Sequence, residues 1–431
     1  MLDIKFIREN ADLVAQSARD KGYDVNIAEL LGLDEKRREL QQKTDRVREQ
    51  RNQIATQTKG GGPTPELIEQ GKRIKEELVS LEKDLRETDE AYGALLNKIP
   101  NISWPDVPVG ANENENVVAK TVGDQPHFDF APKNHYEISE QRDWIDKTRA
   151  AKVTGTRFAY IKGDLVRLWW ALQQFAVVEL TNEKVIAQLV ADNNLNLPSK
   201  PFTPVLPPLM IRTDVYDAMD RLEPRDERYK IEGDDLWLQG SAEHVLGSMH
   251  FGEIIDESDL PLRYIGFATS FRREAGSYGK DTEGIFRMHQ FDKLEMESLT
   301  IPEHGFDEHL LMVAIQEYLN QRLGLPYRVI QKCTADIGKP NTRGIDIDTW
   351  MPGQGQYRET HTADFMTDYQ SRRLGTRARR KDGSIELVTT NDATAFAQRT
   401  LIALIENYQN QNGTVRVPEA LQAYLGGAET L

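Results

Sequence analysis

Two apolar heptad runs separated by a glycine and proline break constrain this chain more than any other feature. Leu33, Leu40, Val47 and Ile54 stand at steps of seven within residues 27–59, a stretch with no proline and with Gly32 as its one glycine. That interval keeps an apolar seam on one side of a helix. In the second run Leu67, Ile74, Leu81 and Leu95 share one heptad position, with Thr88 as the exception, while Leu78, Leu85, Tyr92 and Ile99 share another. Between the runs, Lys59-Gly60-Gly61-Gly62-Pro63-Thr64-Pro65 ends the first helix and offers Thr64 as an N-cap with Pro65 at the first helical position. The spacing predicts an antiparallel helical hairpin over residues 27–99, about 50 Å long at roughly 1.5 Å per residue. Such a hairpin is too thin to be a globular core, so the rest of the chain must supply one.

The first helix carries Lys36, Arg37, Arg38, Lys43, Arg46, Arg48, Arg51 and Lys59 against Glu29, Asp34, Glu35, Glu39, Asp45 and Glu49, so it is locally positive. The whole chain is not: 54 Lys and Arg against 69 Asp and Glu give a net charge of −15 over 431 residues. A protein that coats nucleic acid is therefore not expected, and any RNA contact has to be a local basic patch. Three readings of the basic helix stay open at this point: a solvated coiled-coil face, a lever that grips an RNA backbone, or a protein-binding or dimerising coiled coil.

Hydrophobic residues at 39% and charged residues at 29% exclude both a disordered chain and a fibrous repeat. The N-terminal MLDIKFIREN lacks the layout of a secretory signal, and Arg167 and Gln173 interrupt the most apolar stretch, Leu165 to Leu180. No membrane insertion is expected. The single cysteine, Cys333, cannot form an intrachain disulfide and reads as a small buried apolar residue in a reducing, cytoplasmic setting. Pro100, Pro105, Pro108, Gly110 and the polar run Asn112 to Asn116 mark 105–125 as a linker between 1–104 and 126–431. Beyond it, strand-like and helical segments mix without regular strand and helix alternation, which favours an antiparallel α+β domain.

No GxxxxGK[ST] loop, no GxGxxG after a strand and no zinc-spaced His and Cys cluster occurs. What stands out is Phe271-Arg272-Arg273-Glu274-Ala275-Gly276-Ser277-Tyr278-Gly279, a charged turn from Lys280 to Gly284, then Phe286-Arg287-Met288-His289-Gln290-Phe291-Asp292-Lys293-Leu294-Glu295. The pattern is strand, loop, strand, with arginine and glutamate on each side. Arginine offers a planar fork for phosphate oxygens, glutamate can accept from an amino group, and Phe291 can stack on a heterocycle. Plain strand pairing with surface ion pairs is the competing reading.

This block closely resembles motif 2 of class II aminoacyl-tRNA synthetases, and specifically of the seryl-tRNA synthetase family. Ala150-Ala151-Lys152-Val153-Thr154-Gly155-Thr156-Arg157-Phe158 resembles the family's stretch leading into the catalytic domain. Pro208 matches its motif 1 proline at the dimer interface, and Arg399-Thr400-Leu401 with Glu406-Asn407-Tyr408-Gln409 is similar to motif 3. The hairpin resembles the family's tRNA-binding arm. The resemblance implies an N-terminal tRNA-binding domain at 1–104 and, at 126–431, a class II antiparallel sheet flanked by helices. It also implies a cytoplasmic homodimer that uses ATP and Mg²⁺ to charge tRNA(Ser) with L-serine, and it leaves tRNA(Sec) open as a further acceptor.

The resemblance also implies residue roles. Arg272 would meet the α-phosphate and the serine carboxylate, Glu274 the adenine amino group, Phe291 the adenine face, and Arg287 with Arg399 the outer phosphate. Arg273, Met288, Thr360 and His361 would complete the ATP site, with His361 alternatively a neutral spectator packed against the sheet. Glu359 and Thr362 would hold Mg²⁺, as hard cations favour oxygen ligands. Ser241-Ala242-Glu243 matches the family's Thr-[Ser/Ala]-Glu element, with Glu243 facing the serine hydroxyl and Glu295 its ammonium. Before the motif 3 arginine this chain reads Asn391-Asp392-Ala393-Thr394 where the family has Asn-Gly-Ser-Gly or Asn-Ala-Thr. Counting back from Arg399 puts Ala393 in the hydroxyl slot, so either Thr394 supplies the contact through a shifted backbone or one serine contact is missing. Arg372, Arg373, Arg377, Arg379, Arg380 and Lys381 form a basic run that reads either as a contact for the tRNA acceptor end or as a solvated strand edge. Two rival functions remain: a related ligase for another small amino acid or acceptor, and a non-catalytic RNA-binding relative.

Overall fold

The computed structural model describes residues 1–62, 64–274 and 283–431. Pro63 of the helix break and Ala275 to Thr282 of the motif 2 loop lie outside them. The chain divides into two compact units, Met1–Ile102 and Ser103–Leu431.

In the first unit, α1 (Ile27–Gly61) and α2 (Pro65–Leu96) form the hairpin. Each start is capped: Asn26 accepts the Glu29 amide at 3.0 Å, and Thr64 Oγ1 accepts the Leu67 amide at 3.2 Å with Pro65 at the first turn. Leu40, Val47 and Leu78 are buried in the seam, and so is Thr88, the heptad exception. Thr88 is tolerated there because its hydroxyl donates to the Asp84 carbonyl of its own helix at 2.7 Å. Across the hairpin, Arg37 pairs with Asp89 at 2.6 Å and Arg48 with Glu82 at 3.0 Å, and the Arg37 guanidinium lies 4.9 Å from the Tyr92 ring.

The second unit is built on an eight-stranded sheet. Its strands are β1 (Val117–Val122), β2 (Thr203–Val205), β3 (Leu262–Phe271), β4 (Gln290–Thr300), β5 (Tyr327–Gln331), β6 (Arg343–Met351), β7 (Gln356–Thr367) and β8 (Thr389–Ala397). They lie in the order β1-β5-β6-β7-β8-β4-β3-β2, antiparallel except that β2 runs parallel to β3 at the edge. The α+β class II architecture expected of the sequence is present. Residues 117–122 differ from the expected linker: they form β1, paired with β5 from Val117↔Gln331 to Val122↔Tyr327. The neighbouring proline and asparagine run masks a short Val-Val-Ala-Lys-Thr-Val edge strand whose side chains are mostly exposed.

One face of the sheet is covered by α3 (Asp164–Leu180), α4 (Gly305–Arg322) and α5 (Gln398–Asn407). Leu172, Phe175, Leu311, Ile315, Leu401 and Leu404 pack there on Leu294, Met296, Ala363, Ala393 and Phe396 of the strands. The apolar stretch within α3 is thus a core helix; among the described residues no helix is long and apolar enough to cross a membrane. A buried ion pair fastens α4 to β3. Arg263 donates to Glu308 at 2.9 and 2.6 Å with both side chains fully buried, and Ser298 on β4 donates to the same carboxylate at 2.9 Å.

Candidate active site

Alternation along the strands gives the sheet a second, polar face. Ala363 and Ala393 point toward the helices, so Thr362, Asp364, Asp392 and Thr394 point the other way. Register brings these together: Asp364 stands opposite Asp392, Asp346 opposite Thr362, Glu295 opposite Thr394, and Glu297 opposite Asp392. Register shifts between Ile347 and Asp348 and between Thr394 and Phe396 re-aim the ends of β7 and β8. Gly266 on β3, opposite Glu295, has no side chain; a Cβ there would come within 2.6 Å of Leu246 Cδ1. The short helix Glu243–Leu246 can therefore lie close to the strand and deliver Glu243 to the polar face.

Above this floor opens a cavity of about 490 Å³. Arg272, at the end of β3, donates Nε to the Gly240 carbonyl at 2.8 Å, and its guanidinium lies 5.3 Å from the Phe291 ring. Arg287 reaches Glu274 at 3.1 Å, and Arg399, at the start of α5, reaches Glu359 at 2.9 Å. Phe286 stacks against two guanidinium groups, Arg358 at 4.0 Å and Arg399 at 4.6 Å. Glu274 adopts a positive φ of 48°, a region uncommon for a residue with a side chain, and Arg157 donates to its carbonyl. Three arginines from three separated segments thus line one cavity whose floor is acidic.

The buried charges of the floor perturb one another. Burial pushes the Glu295 carboxyl up to about 8, with Lys293 pulling it back. For Glu243 burial also acts upward, but Lys293, His244 and Arg221 outweigh it and hold the carboxyl well below the usual range. Glu297 and Asp392 are raised well above that range, by burial first and neighbouring carboxylates second. Burial opposes the charge on Lys293, yet Glu243 and Glu295 hold its amine above the ordinary lysine value. The floor therefore combines an ionised Glu243, a charged Lys293 and protonated acids behind them.

Of the residues expected from sequence, Glu243, Arg272, Glu274, Arg287, Met288, Phe291, Glu359, Thr360, Thr362, Thr394 and Arg399 line the cavity. Ser241 lies just behind, accepting from Lys293 at 3.1 Å, as does Glu295, 2.5 Å from the same amine. Others face away. Ala393 is in the apolar core, so of the two outcomes left open, the hydroxyl at the cavity belongs to Thr394. Asn391, on the same side as Ala393, donates to the Gly305 carbonyl at 3.2 Å. His361 packs its ring near Phe396 on the helix side, buried, and burial pushes the imidazole down to about 3, so the ring is neutral. Ala242 packs with Leu246 and Ala268, and Arg273 turns outward to the Arg228 carbonyl and the Tyr229 ring. In the basic run, Arg372, Arg373 and Arg380 meet Asp368, Asp217 and Glu303 at 2.5, 3.2 and 2.9 Å; the first two sit on a short helix, Tyr369–Leu374, rather than on a strand edge.

Arg221, Arg228, Lys293, Lys332, Asp364 and Asp392 line the cavity without having been singled out from the sequence. The alternating acids of β6, β7 and β8 were the available signal for the last two. Among the described residues, no group of three or more His, Cys, Asp or Glu side chains gathers as a metal site. Glu359 and Thr362 nevertheless both line the cavity, and the buried Thr362 hydroxyl accepts no hydrogen bond there; oxygen donors of this kind suit a hard cation.

Comparison with known proteins covers the whole chain. Residues 1–103 match the seryl-tRNA synthetase N-terminal domain family, and residues 228–408 match the class II tRNA synthetase core domain family (G, H, P, S and T). The serine--tRNA ligase of Deinococcus radiodurans is 39% identical, with 100% of this chain and 99% of the relative covered. The crystal structure of the Pyrococcus horikoshii seryl-tRNA synthetase complexed with ATP superposes with a TM-score of 0.87 at 36% identity, covering 100% of this chain and 99% of that one. The cytoplasmic serine-tRNA ligase of Naegleria fowleri in complex with AMP gives 0.83 at 29% identity, covering 100% and 98%.

Proposed function

The chain belongs to the seryl-tRNA synthetase family, and from that membership we propose which of its residues carry each step. The enzyme activates L-serine with ATP and transfers it to tRNA(Ser). In the first step a serine carboxylate oxygen bonds to the α-phosphorus, the bond to the β-phosphate oxygen breaks, and diphosphate leaves. The carboxylate is ionised at neutral pH, so the step needs alignment and charge stabilisation and no general base. Arg272 bridges the α-phosphate and the serine carboxylate, where negative charge builds. Arg287 and Arg399 exchange their carboxylate partners for the outer phosphates. Phe291 stacks on the adenine, and Glu274 accepts from its amino group.

Glu359 and Thr362 would hold Mg²⁺, which would supply further charge neutralisation. Glu295 receives the serine ammonium, and the Thr394 hydroxyl with Glu243 receives the side-chain hydroxyl. In the second step a terminal adenosine hydroxyl of tRNA(Ser) attacks the carbonyl of the adenylate and AMP leaves. The hairpin of α1 and α2 reads the tRNA by shape and phosphate contacts, as folded RNA is commonly read. Leu206, Leu209 and Met210, exposed beside Pro208, support a homodimer through that face, and the site works in the cytoplasm.

The observation that carries this reading is the convergence of Arg272, Arg287 and Arg399 on one acid-floored cavity. Diphosphate exchange with serine, threonine, alanine and glycine tests it. A site that hydrogen-bonds a hydroxyl rejects an analogue lacking one by about 10⁴ to 10⁵, so serine should dominate. Equal exchange with alanine would overturn the hydroxyl assignment.

A further inference from the structure

The amino group of Lys293 occupies the place assigned above to the substrate. Its Nζ lies 2.5 Å from Glu295 Oε2, 3.5 Å from Glu243 Oε2 and 3.1 Å from Ser241 Oγ. Of these three oxygens Ser241 Oγ accepts a hydrogen bond from the amine, while the two carboxylates face it as ion-pair partners. They belong to residues that the family resemblance assigns to serine, and serine's ammonium is the same chemical group as the end of a lysine.

Lys293 and Glu295 are two residues apart on β4 and share its cavity face, so the amine folds back along its own strand onto the deeper acid. Serine cannot place a second ammonium on Glu295 while that amine remains, because two like charges a few ångströms apart in a desolvated pocket repel strongly. A second berth exists. Glu243 Oε2 is buried, accepts no hydrogen bond, and already stands 3.5 Å from the amine. Moving there needs only rotation of a four-carbon stem.

We propose that Lys293 holds the place of the substrate ammonium at Glu295 and shifts onto Glu243 when serine binds. The inference rests on the reading of this cavity as the serine site. Before binding, Lys293 balances the ionised Glu243 while Glu295, raised to about 8 by burial, carries a proton; with serine bound, two cations face two carboxylates and the buried charges balance again. Lys293 is then a positioning residue that offsets buried acid charge until the serine ammonium takes its place. Glu243 serves the lysine as well as the serine hydroxyl.

A crystal structure of the full-length enzyme with serine tests the shift directly. Lys293 Nζ should stand beyond about 4 Å from Glu295 and within hydrogen-bond distance of Glu243. An amine still on Glu295, with serine bound beside it, would overturn the proposal. Kinetics give a second reading. In Lys293→Met serine no longer has to displace a resident cation, so its KM should fall severalfold while KM for ATP and kcat do not improve; Lys293→Arg should restore a KM near or above the wild-type value. A tenfold rise in serine KM for Lys293→Met would overturn the proposal, and if that variant does not fold, the serine-bound wild-type structure decides alone. Absence of serine-dependent diphosphate exchange in the wild type would instead sink the underlying assignment of the cavity.

Discussion

Along the helical hairpin, Arg37 meets Asp89 and Arg48 meets Glu82 with all four side chains 41–47% exposed, whereas Arg263 and Glu308 beneath the catalytic sheet are 0% exposed. The hairpin's charges remain in water, contribute little to its stability, and stay available to a charged partner; its apolar seam holds the helices together. Charges of the sheet are desolvated, so each is tied to a partner or gives up its ionisation. The same residue types thus stay solvated in one unit and are desolvated in the other.

Breaking a pair in each region should separate the two regimes. Glu308→Ala leaves Arg263 charged and buried, and such losses cost about 3–5 kcal/mol; chemical denaturation should show a fall of that size. Next comes Arg272→Ala, which removes a fixed donor at the reacting phosphate and should lower serine-dependent diphosphate exchange by about 10² to 10³ without lowering the denaturation midpoint. Arg272→Lys should recover only part, because the fork is lost.

A pH profile probes the floor. The Glu295 carboxyl is raised to about 8 by burial, so below that pH it carries a proton. Its contribution to stability is complete below the ordinary carboxylate range and is lost as pH rises toward 8, since there the unfolded chain holds fewer protons than the native one. Binding an ammonium needs the ionised form. The kcat/KM for serine should therefore rise with pH by up to about tenfold per unit below 8 and level off above it, and Glu295→Gln should abolish that slope. The smallest effect belongs to the hairpin: Arg37→Ala should cost under about 1 kcal/mol, and less still in high salt.

The hairpin was legible because its determinants are local: heptad spacing, a glycine break, and Thr64 before Pro65 leave few alternatives. The cavity arginines Arg272, Arg287 and Arg399 were legible through the resemblance of their surroundings to a known motif. The floor was harder to read. Lys293, Glu295 and Glu297, or Asp392 and Thr394, alternate with apolar residues as in a strand with one solvated face. Nothing in one strand says that three neighbours and the helix Glu243–Leu246 will cover that face. Ala393 misled for a related reason: counting back from Arg399 assumes a regular strand, and the register shift between Thr394 and Phe396 moves the pleat so that Thr394 faces the cavity. Arg221 and Arg228 come from a segment with no motif at all.

Arg287 and Arg399 rest on Glu274 and Glu359, at 3.1 and 2.9 Å. A crystal structure of the enzyme with a non-hydrolysable ATP analogue asks whether they leave those acids for phosphate. All three guanidinium groups, Arg272 included, should donate to oxygens of one bent triphosphate at about 2.7–2.9 Å. A nucleotide bound elsewhere, or arginines still resting on their glutamates with the phosphates in solvent, would contradict the assignment of this cavity.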